Sequence, residues 1–86
     1  MNIGERIYYT GDRANIDGQG TITMIHPADK FYGPSVTIKM DDGREWRKIL
    51  FVMFDDSPGR RFWLLKDWKA DQQAKIADMN RRYARL

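Results

Sequence analysis

The chain contains no cysteine, only three prolines and one histidine, and no long apolar run. Without cysteine there is no disulfide, no thiolate metal site and no thiol nucleophile. Secreted domains of this size usually depend on disulfides, so a reducing compartment, the cytoplasm, is expected. Residues 1–9 include Glu5 and Arg6 and so lack the apolar core of a signal peptide. The longest apolar run, residues 49–54, is far short of the roughly 18 residues a membrane-crossing helix needs, and no membrane partner is expected. Catalysis is also poorly supplied. The lone His26 stands just before Pro27, with no partner in sequence for a nucleophile, base and orienter set. The pairs Asp41-Asp42 and Asp55-Asp56 stand beside Gly43 and Ser57-Pro58-Gly59, turn contexts in which Asp bonds its own backbone. Neither has the ligand spacing of a calcium loop or a zinc site. Gly18-Gln19-Gly20 leads into a strand and not a helix, so it is no phosphate loop. The reading is a non-enzymatic protein with no cofactor and no metal.

What is present fits one small folded domain over residues 1–86. Hydrophobic residues make up 42% and charged residues 31%, a balance found in globular chains and not in disordered ones. Residues 4–10 favour a pleated strand, and a glycine-bounded loop, residues 11–18, follows. Residues 20–26 form the next strand, with Ile22 and Met24 expected on one face, and Pro27 ends it. A second loop, residues 28–34, carries Lys30, Phe31 and Tyr32.

The clearest local signal is a hairpin at Asp41-Asp42-Gly43. Val36, Ile38 and Met40 alternate before it, and Gly43 supplies the positive φ of a three-residue loop. The register predicted from it sets Met40 against Arg44, Lys39 against Glu45, Ile38 against Trp46 and Thr37 against Arg47. For residues 49–54 periodicity leaves a strand end and a single 3₁₀ turn both open. Residues 61–65 are expected to return as a last short strand.

Beyond that point the period changes. Leu65, Trp68, Gln72, Ile76, Met79, Tyr83 and Leu86 recur at steps of three and four, which predicts a helix over about residues 67–85 with Asp67 as its N-cap. The predicted fold class is therefore mainly β: a small antiparallel barrel of four to five strands over about residues 3–65, closed on itself, plus one C-terminal amphipathic helix.

Residues 3–54 resemble SH3-like barrels of the KOW and Tudor kind. The likeness rests on Gly4-Glu5-Arg6-Ile7-Tyr8-Tyr9, on Gly18-Gln19-Gly20-Thr21-Ile22 and on the Asp41-Asp42-Gly43 hairpin followed by Trp46. It implies a small barrel that binds RNA, DNA or a protein segment, and it carries over no particular site residue.

Charge is unevenly placed. Residues 1–59 hold seven Lys/Arg against nine Asp/Glu, a net −2, whereas residues 60–86 hold eight against three, a net +5. Arg44, Arg47, Lys48, Arg60 and Arg61 are expected to form a basic patch if the hairpin and the last strand lie side by side. With Lys30 and the aromatics Tyr8, Phe31 and Tyr32, they are the candidate nucleic-acid contacts, for RNA or DNA. The alternative is an adaptor or inhibitor of the kind small phage, plasmid and bacterial accessory proteins supply. It would dock on an acidic protein surface through the barrel loops and Met79, Arg82, Tyr83 and Leu86 of the helix, or pair with a second copy as a homodimer through that helix.

Overall fold

Alternation of side chains decides which strand faces form the core. In the computed structural model, which describes residues 1–84, strand β1 (Arg6–Tyr9) turns Ile7 and Tyr9 inward and leaves Arg6 and Tyr8 at the surface. Strands β2 (Gly18–His26), β3 (Ser35–Met40), β4 (Glu45–Leu50) and β5 (Phe62–Leu64) complete one antiparallel sheet in the order β4-β3-β2-β1-β5. A 3₁₀ turn, Phe51–Phe54, follows β4, and the helix α1 (Leu65–Ala84) continues directly from β5. The open choice over residues 49–54 thus resolves into a strand end followed by a 3₁₀ turn.

The sheet curls into a half-barrel around Ile7, Tyr9, Ile22, Val36, Ile38, Met40, Ile49, Phe54 and Phe62. Each such side chain contributes about 1.5–3 kcal/mol when fully withdrawn from water. The expected closure is not made by hydrogen bonds: β4 and β5 remain the two edges of the sheet. Aromatic side chains bridge the gap instead. Trp46 of β4 meets Phe62 of β5 edge to face at 5.8 Å, and both rings rest on Tyr9, at 5.1 and 4.9 Å. A three-residue β5 is too short to supply a long ladder, so ring packing does the closing.

The hairpin register is as predicted for its first three pairs. The Met40 N–H donates to the Arg44 carbonyl at 2.7 Å, Lys39 faces Glu45 and Ile38 faces Trp46. Gly43 holds φ at +99°, as the tight loop requires. Arg6 staples this loop to β1 through a two-pronged ion pair with Asp41, at 2.8 and 2.5 Å.

The fourth predicted pair, Thr37 with Arg47, does not form. Ile38 pairs with Trp46 but Val36 pairs with Ile49, so Arg47 and Lys48 together oppose Thr37 alone. This is a β-bulge, and Lys48 takes φ of +58° to make it. A second bulge lies across the same residue: Ile22 pairs with Ile38 and Met24 with Thr37, leaving Thr23 as the extra residue. It overturns the expectation that Ile22 and Met24 share a face. Ile22 is fully buried, whereas beyond the bulge Met24 points outward and is 54% exposed.

The helix also starts earlier than predicted. It begins at Leu65, and Asp67 stands in the first turn and not at the N-cap, because β5 runs into it without a connecting loop. Tyr8 stacks on Trp68 at 4.4 Å, and Trp68 meets Trp63 edge to face at 5.4 Å. Those rings seat the first turns on β1 and β5. The remainder extends away from the sheet, with no residue of α1 fully buried, and gives the molecule extents of 55 × 27 × 26 Å. No helix among the described residues is long and apolar enough to cross a membrane.

Candidate nucleic-acid interface

Asp29 organises the loop between β2 and β3. Its Oδ1 accepts the backbone N–H groups of Phe31 and Tyr32 at 2.8 and 2.7 Å, and its own N–H donates to the Tyr32 carbonyl at 2.9 Å. These bonds hold the Asp29 carboxyl below the ordinary carboxylate range, with the Lys48 charge adding to the effect. A turn so fixed lifts two rings off the surface: Phe31 is 80% exposed and Tyr32 59%.

A cation accompanies each ring. Lys30 Nζ lies 5.7 Å from the Phe31 centroid, and Lys48 Nζ lies 5.8 Å from that of Tyr32. Both distances are within cation–π reach. Lys48 arrives from β4, and the bulge is what aims it at a loop between two other strands. A cleft of about 420 Å³ opens beside Tyr32, lined by His26, Pro27, Asp29, Gly33, Ser35, Lys48 and Leu50. A second cleft of about 540 Å³ shares His26 and Lys48 with the first and extends to Met24, Thr37 and Arg47. Between them His26 Nε2 is hydrogen-bonded to Thr37 Oγ1 at 2.8 Å. Arg47 is exposed and pairs with Glu45 at 2.7 Å.

Tyr32, Arg47 and Lys48 therefore line two adjoining clefts, and Lys30 and Phe31 stand on the same loop as Tyr32. The other sequence-predicted contacts lie elsewhere. Arg44 bonds Asp42 and the Ile16 carbonyl, and Arg61 bonds the Gly11 carbonyl at 2.8 Å, so both converge on the β1–β2 loop. The Arg60 guanidinium covers Trp63 at 3.4 Å and donates to the Phe54 carbonyl. Tyr8 is half-buried under Trp68, and its hydroxyl donates to Asp17 at 2.6 Å. On α1, Met79 and Tyr83 are exposed, and Arg82 pairs with Asp78 one turn earlier at 3.0 Å. Leu86 lies outside the described residues.

His26, Asp29 and Ser35 line the cleft beside Tyr32 without having been singled out as binding residues. Only Asp29 carried a signal: Asp two residues before an aromatic pair in a loop is the pattern of a side chain bonding its own backbone. No protein family, curated protein or solved structure matches the chain.

Proposed function

We propose that this protein is a non-catalytic binding module that holds single-stranded nucleic acid across the β2–β3 loop and the β4 bulge. One observation carries the reading: two exposed aromatic rings on one loop, each with a lysine ammonium beside it. Stacking surfaces for bases next to cations for phosphates are the two requirements of sequence-tolerant single-strand binding. The SH3-like, KOW or Tudor likeness of residues 3–54 agrees with this use of a small barrel. Duplex is a poorer match, because its bases are already stacked and unavailable to Phe31 and Tyr32.

Fluorescence anisotropy with labelled single strands and duplexes, titrated with protein at about 50 and 200 mM salt, tests this. Single strands should bind more tightly than duplex and weaken about tenfold or more over that range, as expected for about three neutralised phosphates. Phe31→Ala and Tyr32→Ala should each cost about 1–3 kcal/mol of affinity, whereas Arg60→Ala should cost little. Absence of single-strand binding at the lower salt sinks the proposal.

A second reading is favoured by α1, where Ile76, Met79 and Tyr83 form an exposed apolar stripe flanked by Lys75, Arg81 and Arg82. That face suits an acidic protein surface. Were it the working surface, Met79→Ala and Tyr83→Ala would abolish partner capture while leaving strand binding unchanged.

A further inference from the structure

We propose that the cleft beside Tyr32 receives one unpaired nucleobase by its Watson–Crick edge, whatever the base. The inference rests on the single-strand reading above and names what the cleft itself takes. Its lining combines the Tyr32 ring with the apolar side chains of Pro27 and Leu50. A volume of about 420 Å³ accommodates a nucleobase with room for its sugar.

The polar groups are few and complementary. Asp29 Oδ1 is consumed by the Phe31 and Tyr32 N–H groups, and Oδ2 has no hydrogen-bond partner among the described residues. Lys48 forms no ion pair among them either. The cleft thus presents one free acceptor and one free cationic donor. Each nucleobase carries an N–H donor next to an acceptor on its Watson–Crick edge: N6–H beside N1 in adenine, N4–H beside N3 in cytosine. In guanine the pair is N1–H beside O6, and in uracil or thymine N3–H beside O4. An acceptor–donor pair satisfies any of them once the base is unpaired and none while it is paired. The cleft selects strandedness, not sequence.

Backbone strain supports an assignment to Lys48. Lysine in the left-handed region is disfavoured by about 1–2 kcal/mol, and a glycine or asparagine would make the same bulge at less cost. A lysine there puts its ammonium over Tyr32 and into the cleft.

The test uses the whole chain and four labelled probes of equal length: oligo-dT, oligo-dA, an abasic deoxyribose-phosphate strand and the dA·dT duplex. Oligo-dT and oligo-dA should bind within about threefold of each other, and the abasic strand at least about tenfold more weakly, the loss of one or more stacked bases. Asp29→Asn is the decisive variant. It keeps Oδ1 as the acceptor that holds the turn but replaces the free acceptor with an NH₂ donor. A base in the cleft then loses its partner, and oligo-dT and oligo-dA should bind roughly fivefold or more less tightly, with the abasic strand no weaker. A purely electrostatic surface responds with the opposite sign, because removing a negative charge tightens every probe. Uniform tightening overturns the base-cleft assignment and leaves the aromatic platform standing, whereas an abasic strand that binds as well as oligo-dT overturns both, because nothing then stacks on Phe31 or Tyr32. Failure of every probe to bind overturns the single-strand reading, and this inference with it.

Discussion

The Tyr8 ring lies almost parallel to that of Trp68, with centroids 4.4 Å apart and planes inclined by 14°. Trp68 is thereby clamped between Tyr8 and Trp63, and it is the principal aromatic anchor of a helix that has no buried residue. The twenty-residue helix has local support from the Asp71–Lys75 and Asp78–Arg82 pairs, at a few tenths of a kcal/mol each. Such support alone leaves an isolated helix marginal in water. Trp68→Ala should therefore cost about 2 kcal/mol, through the lost ring contacts and the half-buried area, and should fray the helix. Urea denaturation and far-ultraviolet circular dichroism measure both effects. Unchanged helicity and midpoint would show that the clamp is not what holds α1.

Lys48 is the one described non-glycine residue with positive φ. Lys48→Gly relieves that strain and should stabilise the fold by about 1 kcal/mol, since the bulge conformation is native to glycine. It should also remove the cation from Tyr32 and weaken single-strand binding, with a shallower dependence on salt. Stability and affinity move in opposite directions. Denaturant titration and anisotropy on one preparation would show it, and a destabilised variant would mean that Lys48 contributes packing that outweighs its strain.

The readable and unreadable parts of the sequence divide by range. The hairpin was legible because Gly43 and the alternation of Val36, Ile38 and Met40 are local signals, and pairing followed from them as far as Trp46. The bulges were not. Thr23, Arg47 and Lys48 carry no glycine or other mark of irregularity, and only the curvature demanded by the core makes two strands each gain a residue opposite Thr37. For the same reason Met24 was misplaced. The candidate face was half legible: Lys30, Phe31 and Tyr32 are neighbours in sequence, but Lys48 reaches them only through its bulge. Arg60 and Arg61 looked like free cations, yet their partners, the carbonyls of Phe54 and Gly11, are backbone groups that no composition reveals.

Tyr9 and Asp12 give the fold a pH dependence with a definite sign. The Tyr9 hydroxyl donates to Asp12 Oδ2, and Asp12 Oδ1 accepts the N–H groups of Ala14 and Asn15 at 2.7 and 2.8 Å. The Tyr9 bond first, and the backbone bonds after it, hold the Asp12 carboxyl far below its ordinary 3.8. A group depressed in the folded state stabilises it fully above the unfolded value and loses that contribution as pH falls through the folded one. Burial, and then the Asp12 bond, raise Tyr9 above its ordinary 10.0, so its contribution is whole below pH 10.0 and fades at higher pH. Unfolding free energy measured against pH should fall on the acid side of 3.8, and Asp12→Asn should flatten that limb while keeping the loop acceptor. An acid limb of unchanged slope in the variant would assign it to other carboxyls.

Gly20 is the glycine at which an added side chain meets the closest contacts. It lies in β2 between Ile7 of β1 and Met40 of β3. An added Cβ would meet Met40 Sδ at 2.8 Å, the Lys39 carbonyl oxygen at 2.9 Å and Ile38 Cγ2 at 3.0 Å. Methionine is adaptable and its sulfur can retreat. The Lys39 carbonyl belongs to the backbone of β3 and can move only if β2 and β3 part. Gly20→Ala should therefore destabilise the protein by about 2–3 kcal/mol, at the upper end for overpacking a well-filled core. The contrast is Gly33→Ala, where a Cβ meets nothing within 4 Å and φ is not positive, and which should stay within about 0.5 kcal/mol of the parent. Urea midpoints for the two variants decide the matter: equal midpoints would mean that β2 and β3 can separate at Gly20 at little cost.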